Sequence, residues 1–309
     1  METITTIEGL DQKIAECHRA AAISDAALRD MFQSFNMAPV GVDLDPFSEK
    51  YLLEQMNLYQ QIAGKPYKTE NEAYPVDATT LEKVFPYSTQ SPRLIGSQYA
   101  AIAALLSRMH IAPPARVIEF GAGWGNMALA LAQSGYDVTT VDIEESFCRL
   151  VQKRAAQLDV KIRSINDDFL LSERLDEKFD AAIFFECFHH CADHRRLLRA
   201  LHRIIKPGGH LYFIAEPITQ KFPVPWGVRL DGESLWAIRH HGWLELGFQE
   251  DYFREALRRG GWQVTHHPTG NLTTTIWDAQ VGSGTSNAIV ETVRPKRNIL
   301  DHLRAKLFS

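Results

Sequence analysis

Between Arg116 and Gln133 a short apolar stretch runs directly into clustered glycines and then into a run rich in alanine and leucine. It reads Arg116-Val-Ile-Glu-Phe-Gly-Ala-Gly-Trp-Gly-Asn126, followed by Met127-Ala-Leu-Ala-Leu-Ala132. A buried parallel strand, a glycine turn and a helix, in that order, make the opening βα unit of a doubly wound sheet. The glycines allow a tight turn and let a ligand approach main-chain N–H groups. Their spacing separates two ligand classes. A dinucleotide fingerprint wants glycine at the first, third and sixth positions, and here those are Gly121, Gly123 and Asn126. Glu119 stands two residues before the first glycine. A carboxylate there does not suit a pyrophosphate, but it does suit a cation such as the ammonium of an amino acid.

The chain downstream alternates as an α/β sheet should. Strands are expected at 135–142, 160–165, 179–186 and 210–216. Helices are expected at 144–158 and 193–205, the second stopped by Lys206-Pro-Gly-Gly209. A helix at 250–260 then precedes a strand pair at 262–267 and 273–278. Upstream, residues 11–35 carry apolar side chains at helical spacing. Ser48 can cap a helix that Gly64 and Pro66 stop, and Ser91-Pro92 opens another running to about His110. The expected organisation is a helical cap over 1–110, an α/β core over 111–280 with an insertion at 217–250, and a basic tail over 281–309.

The order and spacing of these blocks from about 115 to 216 resemble the class I S-adenosylmethionine-dependent methyltransferases. Glu-Phe-Gly-x-Gly-x-Gly matches their first motif, and Phe179-Asp180 with Lys206-Pro-Gly-Gly209 matches the second half of the pattern. The resemblance implies a doubly wound, seven-stranded Rossmann-like sheet, S-adenosylmethionine as cofactor and S-adenosylhomocysteine as product. It places Glu119 and the backbone of Gly121, Ala122 and Gly123 at the methionine end. Asp142 ends the second strand, where an acid can accept from both ribose hydroxyls, with Ile143 along the adenine. Asp168 is expected on the adenine amino group in preference to Asp167, with the N–H of Phe169 on the ring. Glu186 is expected beside the methionine end, through its carbonyl more than its carboxylate.

Methyl transfer needs alignment, and a hydroxyl or amine acceptor must also lose a proton. Phe188-His189-His190-Cys191 follows the fourth strand, where family members place residues facing the methyl, so His189 and His190 lead as bases. His241 is a further candidate from the insertion. His189-His190-Cys191 with His194 invites a zinc reading, but no second Cys/His cluster completes it, and no metal is expected. The insertion interleaves aromatic and charged residues, and Trp226, Arg229, Trp236 and His240 are expected to hold the acceptor, since aromatic faces beside charged groups suit a sugar ring. Phe85-Pro-Tyr-Ser-Thr-Gln-Ser-Pro92 and the 222–236 stretch resemble bacterial methyltransferases that accompany surface-polysaccharide glycosyltransferases. A small molecule or glycan, through a sugar hydroxyl, is therefore the expected acceptor.

Charge and cysteine content bound the rest. A net charge of −5 argues against nucleic acid as a partner. The four cysteines form no C-x-x-C pair, which fits a reducing cytoplasm. No leader and no run of ~20 apolar residues is expected to address or span a membrane. Basic, amphipathic residues 294–309 leave peripheral membrane contact open, and the sequence leaves the oligomeric state open too. A dinucleotide oxidoreductase, a non-catalytic partner protein of the same fold and a methyltransferase acting on protein or lipid stand as alternatives.

Overall fold

A computed structural model describes residues 1–39, 43–75 and 91–281. Most of the 85–92 stretch and all but the start of the basic tail lie outside the described residues.

The core is one seven-stranded sheet with five parallel strands: β3 (Arg116–Phe120), β4 (Asp137–Asp142), β5 (Ile162–Asn166), β6 (Phe179–Phe185) and β7 (Ile205–Ile214). Their spatial order is β5-β4-β3-β6-β7, and β11 (Ile276–Val281) then pairs antiparallel with β7 and with β10 (Trp262–His267). The chain winds outward from β3 and returns at β6, so the switch point of the sheet lies between these two strands. An aromatic ladder runs across the central strands, with Phe184 stacked on Phe120 and Phe213, each at 5.2 Å.

The sheet separates two apolar clusters. On one face α4 (Pro92–Leu106) and α5 (Asn126–Gln133) bury Ala101, Ile102, Leu105, Met127 and Leu131 against Val117, Ile183 and Ile276. The helix at 92–106, expected as part of the cap, thus packs as a layer against the sheet. Ser91 caps this helix and Pro92 starts it, as expected. On the other face α7 (His194–Ala200) and α9 (Glu250–Arg259) join the larger cluster.

Lys206-Pro-Gly-Gly209 lies inside β7 instead of ending the preceding helix. A register shift between Phe179 and Ala181 accommodates it. Lys206 Nζ bonds both oxygens of Asp180 at 2.9 Å, and a side chain at Gly209 would come within 2.8 Å of the Asp180 carbonyl.

The cap is assembled from two distant parts of the chain. Its first part holds β1 (Glu2–Ile4), α1 (Ile7–Ile23), α2 (Asp25–Phe32), β2 (Phe35–Met37) and α3 (Glu49–Ala63). Ser24 divides the single helix expected over 11–35, because its extended backbone ends α1 while its hydroxyl caps α2. The second part is the 217–250 segment, with β8 (Trp226–Val228), α8 (Gly232–His240) and β9 (Leu246–Phe248). Tyr51 donates to the Trp226 carbonyl at 2.7 Å, Gln55 accepts from the Val228 N–H at 3.0 Å, and Arg239 reaches Asp11 at 2.8 Å. The insertion therefore packs on the first part, and both share one apolar cluster with the sheet. No helix among the described residues is long and apolar enough to cross a membrane.

Candidate active site

The carboxyl ends of β3, β4 and β6 meet at the switch point, and the glycine turn lies there. Gly121 has φ +61°, and a Cβ on it would stand 2.7 Å from the Cβ of Cys187, so a side chain is excluded twice over. Gly123 has φ +49° and faces open space. Its N–H donates to Asp142 Oδ2 at 2.8 Å, and the Glu144 N–H donates to Asp142 Oδ1 at 2.9 Å. Ile143 follows at the start of the same turn, and Phe169 approaches within 3.5 Å of where a Gly121 Cβ would be.

Glu119 is the informative acid. It is 1% exposed, and its Oε2 has no hydrogen-bond partner. Burial pushes its carboxyl up to about 8. Burial also raises Asp142, to about 6, although two backbone N–H groups pull it down. Glu186, with φ +52°, is raised by burial as well, and Gln98 of α4 donates to its Oε2 at 2.7 Å, turning the carboxylate toward that helix. Among the described residues no lysine or arginine pairs with Glu119, Asp142 or Glu186. The turn thus gathers two buried acids, Glu119 and Asp142, the first with an oxygen that has no hydrogen-bond partner. Asp168 opens the 169–173 turn by accepting the Leu170 N–H at 2.8 Å. Its neighbour Asp167 is held by Arg174 at 2.5 Å.

The turn after β6 carries the histidines. Its backbone wraps around a carboxylate that sequence reasoning missed, Glu216 just beyond β7. Glu216 accepts from the N–H groups of Cys187 (2.9 Å), Phe188 (2.8 Å) and His189 (3.2 Å). The same carboxylate meets His189 Nδ1 at 2.8 Å. His189 is 7% exposed, and burial pushes it well below the ordinary histidine range. Burial likewise raises Glu216 to about 7. The Nε2 of His189 lies 3.6 Å from Glu245 Oε2. His190 Nδ1 is 3.3 Å from Glu72 Oε2, and although burial opposes it, that acid lifts His190 to about 9. Glu72 comes from the first part of the cap and Glu245 from the second. An acid directly after a strand at the active edge was a readable signal for Glu216, whereas Glu72, Gln98 and Glu245 carry none.

The insertion residues divide. Arg229 reaches the cluster, bonding Glu245 Oε2 at 3.4 Å and Asp231 at 3.0 Å. Trp226 does not reach it. This ring is fully buried among Tyr51, His194 and Tyr252, and its N–H is spent on the Pro46 carbonyl at 2.8 Å, so neither face can stack on an acceptor. Trp236, His240 and His241 also serve the cap. Trp236 stacks on His240 at 4.5 Å and meets Phe32 of α2. His241 stacks on Trp243 at 4.2 Å, and Trp243 stands between it and His190. Burial pushes His241 down to about 4. Trp226 and Trp236 pack the two cap segments against each other, while His240 is exposed beside Trp236. His194 likewise turns away, its Nε2 2.8 Å from the Tyr252 hydroxyl. All four cysteines are buried and free.

Residues 95–267 match a family model described as a methyltransferase domain. The ubiquinone biosynthesis O-methyltransferase of Pseudomonas entomophila is 33% identical over 100 residues, covering 32% of this chain and 43% of that protein. The protein of the same name from Xanthomonas campestris is 30% identical over 104 residues, covering 32% and 42%. This chain therefore matches less than half the length of these curated relatives. Among solved structures, the CurJ carbon methyltransferase aligns with a TM-score of 0.49 at 16% identity, over 75% of this chain and 66% of that one. An S-adenosylmethionine-dependent methyltransferase from Mesorhizobium loti aligns at 0.44 and 20% identity, over 59% and 97%.

Proposed function

This chain belongs to the methyltransferase-domain family, and from that premise we propose that it moves a methyl group from S-adenosylmethionine to a hydroxyl of a small molecule or glycan. The observation that carries the proposal is the Glu216–His189 dyad at the turn after β6. S-adenosylmethionine, when bound, supplies an activated sulfonium methyl, with S-adenosylhomocysteine as the product.

The chain's own residues do the rest. Glu119 and the glycine turn receive the methionine end, and the buried carboxylate answers the ammonium charge. Asp142 keeps acceptor capacity for the ribose diol beyond its two backbone bonds. Asp168 and the Phe169 N–H are assigned to the adenine. Glu216 fixes the His189 tautomer, so Nε2 presents a lone pair to an incoming hydroxyl and takes its proton. Glu216 and Glu245 then stabilise the imidazolium that forms. His190, paired with Glu72, is held as a cation and is not the base.

An oxygen acceptor agrees with the names of the curated relatives, both O-methyltransferases. Charged groups from Glu72, Arg229 and Glu245 flank the histidines, and they match a polyhydroxylated acceptor such as a sugar better than an apolar ring. That reading now rests on these charges and no longer on the tryptophans.

Calorimetric titration with S-adenosylmethionine and S-adenosylhomocysteine, on wild type and Asp142→Ala, tests the cofactor site. Each ribose bond to the charged acid contributes about 1.5–3 kcal/mol, so a loss of roughly ten- to a hundredfold per bond is expected. Transfer of labelled methyl to panels of sugars and phenols then tests the acceptor. No binding by folded wild type would sink the enzyme reading. Transfer to phenols alone would remove the sugar.

A further inference from the structure

Two imidazoles and a carboxylate converge at the methyl-transfer position. His189, His190 and Glu245 each offer one ligand atom, and these atoms lie within 4.8 Å of one another. His189 Nδ1 stands 2.8 Å from Glu216, and Glu72 Oε2 stands 3.3 Å from His190 Nδ1. Carboxylates beside imidazoles orient the rings on metal ions in this way. Charge points the same way. Glu72, Glu216, Asp231 and Glu245 surround the site, while Arg229, bonded to Asp231 and Glu245, is the guanidinium that opposes them. These four acids outnumber the guanidinium, and a dication offsets the negative charge they gather. Two imidazole nitrogens and one carboxylate oxygen select zinc and its neighbours over magnesium or calcium.

We propose that His189, His190 and Glu245 bind a divalent transition-metal ion of the zinc class, and that the bound ion shuts off methyl transfer. The inference rests on the functional reading above, because the Nε2 lone pair that accepts the hydroxyl proton is the one the ion occupies. Ligation and base action exclude each other at that atom. His189-His190-Cys191 with His194 suggested a zinc motif that nothing nearby in sequence could complete. The completing ligand is an acid from the cap, and neither His194 nor a second cysteine is needed.

The test begins with metal-free full-length protein, titrated with Zn²⁺ by calorimetry and with Co²⁺ by visible absorption. Wild type, His190→Gln, Glu72→Gln and His267→Gln are compared, and methyl transfer is assayed with zinc and again after excess chelator. One equivalent is expected to bind, with the d–d absorption of a low-coordinate cobalt centre. Glu72→Gln is expected to weaken binding about 10–100-fold. Transfer is expected to fall with occupancy and to return with chelator. Absent cobalt absorption in folded protein that binds S-adenosylmethionine would overturn the site. So would a signal that survives His190→Gln but vanishes in His267→Gln, since that belongs to His110, His267 and Asp278 at the sheet edge. Zinc that binds yet leaves transfer unchanged, or raises it, would overturn the inhibitory role. Failure of the functional reading looks different: no transfer by wild type with chelator present.

Discussion

The two halves of the site are built on different plans. The half proposed for the cofactor comes from consecutive βα turns at 119–125, 142–144 and 167–169, which present backbone N–H groups and acids at strand ends. The half proposed for the acceptor joins the turn at 186–190 to Glu216, Glu72 and Glu245, which come from a different strand end and from both parts of the cap. In the first half the groups follow directly from consecutive turns of one sheet. In the second, chemistry depends on how one cap packs, and specificity can change there without disturbing the sheet.

The sharpest way to break this contrast is at His189. Gln in its place can still donate to Glu216 but cannot accept the hydroxyl proton. His189→Gln is therefore expected to lower the transfer rate by about 10²–10⁴-fold while S-adenosylmethionine affinity stays near wild type. A comparable loss of cofactor affinity would show that the two halves are not separable. His241→Gln is the matched control and is expected to leave the rate within a fewfold, because Trp243 stands between that ring and His190.

The cap gives the next largest effect, in stability. Trp226→Ala empties a fully enclosed site and strands the Pro46 carbonyl. A cost of about 3–5 kcal/mol is expected in denaturant unfolding. Were Trp226 an acceptor platform, the same substitution would raise KM for the acceptor and leave unfolding nearly unchanged.

The contrast also explains what the sequence could reveal. Strand, glycine turn and helix are local patterns, so the sheet, the cradle and Asp142 were legible to within a few residues. His189 and His190 were legible as position, because they directly follow a strand. Their partners were not, since Glu72 and Glu245 are separated from the histidines by more than fifty residues and lie in a cap whose packing has no local signature. Aromatic content misled for a related reason. Trp226 reads the same in the sequence whether it covers a substrate or a core, and only its burial distinguishes the two. Lys206-Pro-Gly-Gly209 showed the converse error: a run that usually stops elements is carried through β7 by a shift in register.

The smallest expected effect concerns the cofactor half alone, and it is a pH dependence. Burial places Glu119 at about 8 and Asp142 at about 6, above their ordinary values. A carboxyl raised by folding keeps its proton in the folded chain and loses it in the unfolded chain, so stability falls as pH rises toward the folded value. His194 and His241, lowered by burial to about 3 and 4, act oppositely, but only up to the ordinary histidine range near 6.5. His190, held at about 9, adds to the decline above that point. The ligand-free protein should therefore lose thermal stability between about pH 6.5 and 9. Glu119→Gln removes the largest of the buried-acid contributions, so its Tm should exceed that of wild type near pH 8 and follow a shallower slope. The same change should weaken S-adenosylmethionine, because the amide, unlike the carboxyl, cannot release a proton to become the anion that answers the ammonium. A wild-type Tm that rises over this window, or a Glu119→Gln variant that binds the cofactor as tightly as wild type, would mean the orphan carboxylate does not face the cation. The cradle would then owe its affinity to backbone N–H groups and Asp142 alone.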